Sequence, residues 1–212
     1  TFGIDTRSLA LFRVAIASVA LVDLANRLSG FSILYTDAGA LPVELAPVFG
    51  RTLSLYRLDG SVGFAAVLAA AQAVACTMLL LGWKTRFATV ATWLLVASLH
   101  LRNPFVNNGG DAFLRMLLFW SMFVPLGASA SLDARAARRR GEDTSPRLVV
   151  SVAGIALMLQ VAALYAVAAL TKAGPEWSDG SAIAAALEQR YWTRQLARVV
   201  AEFPRALGLA PD

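Results

Sequence analysis

The chain has 212 residues, of which 58% are hydrophobic and 16% charged, with a formal net charge of +5 at pH 7. A soluble domain averages about 45–50% apolar and about 25% charged residues, so this composition excludes an ordinary water-soluble globule and calls for lipid as the solvent. The expected class is all-α: one polytopic transmembrane helical bundle over residues 1–212.

Crossing about 30 Å of hydrocarbon takes about 20 mostly apolar residues at about 1.5 Å each. Five runs qualify, over residues 8–28, 61–82, 87–101, 111–127 and 148–170. Ala and Leu dominate them and period-2 alternation is absent, which argues for helices whose backbone groups are all paired internally. The first run carries Arg13, Asp23 and Arg27 and lacks a long uncharged core with a small-residue cleavage site. It therefore reads as a span and not as a signal peptide.

After the first span comes Tyr35-Thr36-Asp37-Ala38-Gly39-Ala40-Leu41-Pro42, a turn signal leading into a short helix. The second span contains the only cysteine, Cys76, among Ala and Met, where packing is the plain reading. A tight turn, Trp83-Lys84-Thr85-Arg86, leads to the third span, whose far end holds the only histidine, His100. His100 is read as a hydrogen-bonded interfacial residue, with a pocket role as the alternative. The connection Asn103-Pro104-Phe105-Val106-Asn107-Asn108-Gly109-Gly110-Asp111 is rich in amides and glycine. It suits a plain solvated loop or the lining of a polar pocket. The fourth span is followed by Arg135, Arg138, Arg139, Arg140 and Arg147, and the fifth by Lys172, Trp177 and Gly180. In the tail, over about 185–207, Trp192, Leu196, Val199 and Phe203 recur at helical spacing while Arg190, Arg194 and Arg198 take another face. That is the pattern of a basic amphipathic helix lying in the membrane interface.

Basic residues gather in the turn after the second span and the loop after the fourth, which sets both on the cytoplasmic side together with Arg7 and the N-terminus. A bacterial-type cytoplasmic membrane is the expected location. The basic residues flank spans, so anionic lipid and not nucleic acid is their expected partner. With one histidine and one cysteine, zinc, di-iron and bis-histidine haem sites are starved of ligands and no metal is expected.

On this topology Asp23 and Arg27, Asp111 and Arg115, and Lys172 come from three helices to one depth near the outer face. Polar groups at such a depth need partners or a cavity. One reading is structural, with Asp23 pairing to Arg115 or Asp111 to Arg27. Lys172 is one of two lysines against seventeen arginines, and a desolvated ammonium can release its proton where guanidinium cannot. Snorkelling to the interface is the competing reading for it.

In the segments Asp5 to Arg13, Tyr35 to Pro42, Leu81 to Arg86, Asn103 to Asp111 and Lys172 with Trp177 and Gly180, the chain resembles the HTTM family, whose members look like the membrane part of the vitamin K-dependent gamma-carboxylase. The resemblance runs through nearly the whole chain. In the carboxylase, a lysine followed at five residues by tryptophan and at eight by glycine deprotonates vitamin K hydroquinone; Lys172, Trp177 and Gly180 match that spacing. The resemblance thus implies Lys172 as a base, with Asn107, Asn108, Asp111 and Trp177 around a quinone or lipid ligand. Two departures weigh against protein glutamate carboxylation: Asn107-Asn108-Gly109 stands where the carboxylase has Asn-Asn-His, and these residues include no large lumenal domain to grip a glutamate-rich substrate. The alternative is a non-catalytic accessory or maturation subunit that binds other membrane subunits.

Overall fold

The computed structural model describes residues 3–44, 53–145, 147–182 and 185. The expected interfacial helix lies outside these residues, apart from its first position. By its contacts the chain, read from sequence as one domain, divides into two compact units, residues 1–158 and 159–212. The described elements are β1 (Ile4–Asp5), α1 (Thr6–Leu28), α2 (Phe31–Tyr35), α3 (Val62–Leu81), α4 (Thr85–Arg102), α5 (Gly109–Ser121), α6 (Leu132–Arg139), β2 (Leu148–Val149), α7 (Val152–Thr171) and α8 (Pro175–Ser178). Short 3-10 turns lie at Leu55–Arg57 and Pro104–Val106. The fold is mostly helical, as composition requires, with one small addition: β1 and β2 pair antiparallel, Ile4 opposite Val149 and Asp5 opposite Leu148. Two residues a side leave no alternation for a sequence reading to detect.

Local chemistry sets the helix ends. Asp5 caps α1 by accepting from the Arg7 amide at 2.7 Å, and Ser61 caps α3 by accepting from the Phe64 amide at 3.3 Å. α3 ends at Gly82, in the left-handed region at φ 68°, with the Trp83 amide donating back to the Met78 carbonyl at 2.9 Å. Glycine is required there twice over, since any Cβ would also run into Arg13 Nη1 and Ser131. α5 opens with a reciprocal cap: Asn108 Oδ1 accepts from the Gly110 and Asp111 amides, and Asp111 Oδ2 accepts from the Asn108 amide at 2.7 Å.

Among the described residues three helices are long and apolar enough to cross a membrane: α1, α3 and α7. The expected third run falls on α4, 18 residues that include Arg86, His100 and Arg102. The expected fourth run overlaps α5, which ends at Ser121 instead of continuing to 127. Pro125 explains the early stop, because its ring and missing N–H disfavour helix through the residues just before it.

In the first unit α1 packs on α3, α3 on α4, and α4 on α5. Small buried residues such as Ala17, Ala20, Ala69, Ala75 and Ala88 allow close approach, and Leu9, Ile16, Leu79, Val96, Leu114 and Leu118 fill the space between them. The helices run between two polar ends. At the Arg13 end, buried Arg13 donates from Nη2 to the Ala130 carbonyl at 2.8 Å and from Nη1 to that of Leu126 at 3.4 Å. Beside it Asp133 accepts from the Lys84 amide, the Thr85 amide and the Thr85 hydroxyl at 2.9, 2.8 and 2.6 Å. Desolvation works to raise the Asp133 carboxyl, but the Thr85 and Lys84 hydrogen bonds and the Arg13 charge hold it below its ordinary value. In the second unit, α7 continues to Thr171 and α8 follows as a single turn; the apolar side chains Leu159, Val167 and Leu170 are exposed, as a lipid-facing helix requires.

Candidate functional site

At the opposite end of the first unit, Arg27 on the last turn of α1 gathers groups from four segments. Its Nε donates to Asp23 Oδ1 at 2.9 Å, one helical turn back. Its Nη2 meets Asp111 Oδ1 at 2.8 Å, an acid fixed in place by the α5 cap. Nη1 donates to the Tyr35 hydroxyl at 2.7 Å and to Asn107 Oδ1 at 3.5 Å. The side chains of Arg27 and Asp111 are only 9% and 8% exposed. Charge-assisted bonds of this kind, in so little water, are among the stronger ones a protein makes.

Asp23 uses its second oxygen on α4: His100 Nε2 lies 2.9 Å from Asp23 Oδ2. His100 is fully buried, and its carbonyl accepts from Asn107 Nδ2 at 2.6 Å. Asn107 therefore ties the amide-rich connection to both Arg27 and α4. A second pair stands nearby in the chain: buried Arg102 donates to Asp37 Oδ1 at 3.0 Å and to the Leu41 carbonyl at 2.8 Å. Asp37 also accepts from the Val43 amide at 2.8 Å, which explains the turn signal between Tyr35 and Pro42. Gly60 closes on the same acid, since a Cβ there would overlap the Asp37 carboxylate.

The structure thus brings together Asp23, Arg27, Asn107 and Asp111, with Asn108 as the cap that aims Asp111. Of the two structural pairings weighed from sequence, Asp111 with Arg27 forms. Asp23 turns to Arg27 and His100, while Arg115 Nη1 is buried with no hydrogen-bond partner among the described residues. Lys172 and Trp177 belong to the second unit. The Lys172 amide bonds the Ala169 carbonyl at 3.3 Å, and α8 folds the chain back so that Lys172 Nζ stands 5.0 Å from the Trp177 ring centroid. Both side chains are exposed.

Two participants, His100 and Tyr35, and one further buried polar residue, Gln72, were not singled out from sequence as site residues. His100 was set aside as an interfacial residue. Tyr35 was noted only within its turn; its hydroxyl holds its proton above the ordinary range because desolvation outweighs the Arg27 hydrogen bond and charge. Gln72, in the middle of α3, is fully buried with both amide atoms unpartnered among the described residues. The burial cost that pointed to ionisable groups in spans applies equally to an amide, and that signal was available for Gln72.

Asp23, His100 and Asp111 bring ligand atoms within 4.8 Å of one another, a donor set that could suit a divalent cation. Arg27 already bridges both carboxylates with the positive charge an ion would supply, so the set reads as an ion-pair cluster. Two cavities, of about 200 and 280 Å³, lie at the Arg13 end, the first lined by Thr85, Thr89, Ser121, Pro125 and Asp133 and the second by Asp133, Arg140, Glu142 and Arg147.

The HTTM domain family matches residues 3–204, and the chain belongs to that family. No curated protein and no solved structure matches it.

Proposed function

We propose that this HTTM family member crosses the membrane five times, that it binds a quinone or a lipid head group at the Arg27 end, on the extracytoplasmic side, and that Lys172 of the second unit acts as a base. Support for the span count comes from the ends of α4 and α5. Thr85 contacts Asp133 at the Arg13 end while His100 reaches Asp23 at the other, so α4 covers the distance that α1 covers. α5 returns from Asp111, beside Arg27, toward Leu126, beside Arg13.

One observation carries the ligand reading: at this end Arg115 Nη1 and His100 Nδ1, and at the middle of α3 both amide atoms of Gln72, are buried without partners among the described residues. Buried polar groups are nearly always hydrogen-bonded, so donors and acceptors left over in a helical bundle suit a ligand that offers both. A quinone and its hydroquinone accept and donate respectively, and a lipid head group accepts from arginine. Lys172 beside Trp177 supplies a cation on an aromatic face, consistent with a primary amine kept near an apolar ring. Protein glutamate carboxylation is not part of the proposal, because Gly109 stands where the carboxylase has the histidine of its Asn-Asn-His.

A second reading is favoured by Arg27 itself, whose bonds to Asp23, Asp111, Tyr35 and Asn107 all lie within the chain. A cluster so well matched suits a structural lock in an accessory or maturation subunit of a larger membrane assembly. Mass spectrometry of lipids and proteins that copurify in mild detergent separates the two. The ligand reading expects a retained quinone or lipid, depleted several-fold in Arg115→Met and Lys172→Met. A stoichiometric membrane protein partner with no retained small molecule would replace it with the second.

A further inference from the structure

His100 is the chain's single histidine, and its two ring nitrogens stand in different chemistry. Nε2 lies 2.9 Å from Asp23 Oδ2. Asp23 already serves Arg27 with its other oxygen and, as a carboxylate, only accepts, so the imidazole proton belongs on Nε2. That tautomer leaves Nδ1 as a lone-pair acceptor. Nδ1 is buried and has no hydrogen-bond partner among the described residues.

Nor is it the only orphan in that part of the core. α3, α4 and the 3-10 turn Leu55–Arg57 pack on one another, and each carries at least one fully buried residue with a polar atom unpartnered among the described residues: Gln72 on α3, His100 and Thr92 on α4, and Tyr56 in the turn. Tyr56 shares a core cluster with Leu99, next to His100, and with Ala69, three residues before Gln72. Three packed elements thus each carry a buried polar group with unpartnered atoms, the imidazole Nδ1 of His100, the amide of Gln72 and the phenol of Tyr56, the last among the apolar side chains Leu24, Ala65, Ala69 and Leu99. Buried polar groups left in this way are satisfied by an internal water or by a bound molecule.

We propose that Asp23 and His100 form a proton-accepting dyad, in which Asp23 positions the imidazole through Nε2–H and Nδ1 takes a hydrogen bond from an O–H donor within the bundle. Where the donor is acidic enough the step goes further: its O–H bond breaks, the electron pair stays on oxygen, an Nδ1–H bond forms, and the imidazolium charge rests against the Asp23 carboxylate. The O–H belongs either to an internal water or to the hydroxyl of a bound apolar molecule; the chemistry at Nδ1 is the same. The inference goes beyond the ligand reading above, because it assigns His100 a role that either donor fulfils and that does not involve Lys172.

A single histidine makes the test direct. The full chain, labelled with 15N-histidine and held in lipid nanodiscs, gives one pair of ring-nitrogen signals that report the tautomer. The expected spectrum has a protonated Nε2 and an unprotonated Nδ1 displaced from the free-imidazole position by a hydrogen bond. A cross-peak from Nδ1 to water protons identifies the internal-water form; a further displacement on titrating 4-methylphenol identifies the hydroxyl-ligand form. Asp23→Asn should redistribute the proton between the two nitrogens, and Asp23→Glu should restore the wild-type tautomer. A proton resident on Nδ1 in the wild type, or an Nδ1 signal at the free position that neither water nor phenol moves, overturns the proposal. Because the wild-type spectrum alone decides this, a variant that fails to fold does not remove the test. Loss of the copurifying quinone or lipid with these signals intact would count against the ligand reading only.

Discussion

Arg13 and Arg27 sit on the same helix, about 21 Å apart along its axis, and α1 buries them in opposite ways. Arg13 donates to two main-chain carbonyls, Leu126 and Ala130, with the carboxylate of Asp133 near but not bonded to it. Arg27 is held by two carboxylates, a phenol and an amide. The first arrangement fixes a loop: it pins residues 126–130 over the end of α3, and Gly82 exists to make room for it. The second balances charge among α1, α4 and α5, and so depends on every member being present. Two arginines of one span, of which only Arg27 counted from sequence among the outer-face polar groups, thus have different work to do.

The sharpest break of this comparison is to remove each guanidinium in turn. Arg27→Met leaves Asp23 and Asp111 buried without their shared counter-charge and should cost about 3–5 kcal/mol. Arg13→Met leaves only neutral carbonyls short of a donor and should cost about 1–3 kcal/mol. Thermal unfolding of the two variants in the same nanodiscs measures the difference, and equal losses would erase the distinction.

Gly82→Ala comes next in size. Placing a Cβ at a left-handed residue costs about 1–2 kcal/mol, and here it also displaces Arg13. If the contact matters as described, the same substitution made in Arg13→Met costs less than in the wild type, and a double-mutant cycle reads that coupling. Strict additivity would show that backbone strain is the whole effect.

The smallest effect separates the ends by pH. Asp133 keeps its carboxyl below the ordinary value, so the stability it contributes is present above the usual carboxylate range near about 4 and is lost as pH falls through the depressed value. Acid titration of thermal stability should show this loss in the wild type and a flatter curve in Asp133→Asn. Identical curves would detach Asp133 from the stability of the Arg13 end.

Much of the helical framework was legible from residues alone. The starts of α1 and α3, the turn at Gly82 and the opening of α5 follow from apolar runs punctuated by Asp5, Ser61, Gly82 and Asn108. The end of α5 was misjudged by extending an apolar run past Pro125, where backbone chemistry outranks hydropathy. The third run is already short in the sequence, and α4, on which it falls, gives up apolar character to Arg102 and His100, both of which the fold buries with partners.

Sequence by itself determined the solvent of this protein, its helical class and its family, because hydrophobic content, capping residues and motif spacing are local properties that survive without a fold. From it Asp23, Arg27, Asp111, Arg115 and Lys172 also read as sharing one depth, since helix rise converts residue number into height, and of these the structure joins Asp23, Arg27 and Asp111. Only the tertiary structure decided who pairs with whom: that Asp111 takes Arg27 while Arg115 Nη1 has no partner among the described residues, that His100 completes Asp23, and that the Gln72 amide has no partner among those residues. Those outcomes depend on how each helix is rotated about its axis against its neighbours, and rotation is set by packing across the bundle, which no single stretch of the chain encodes.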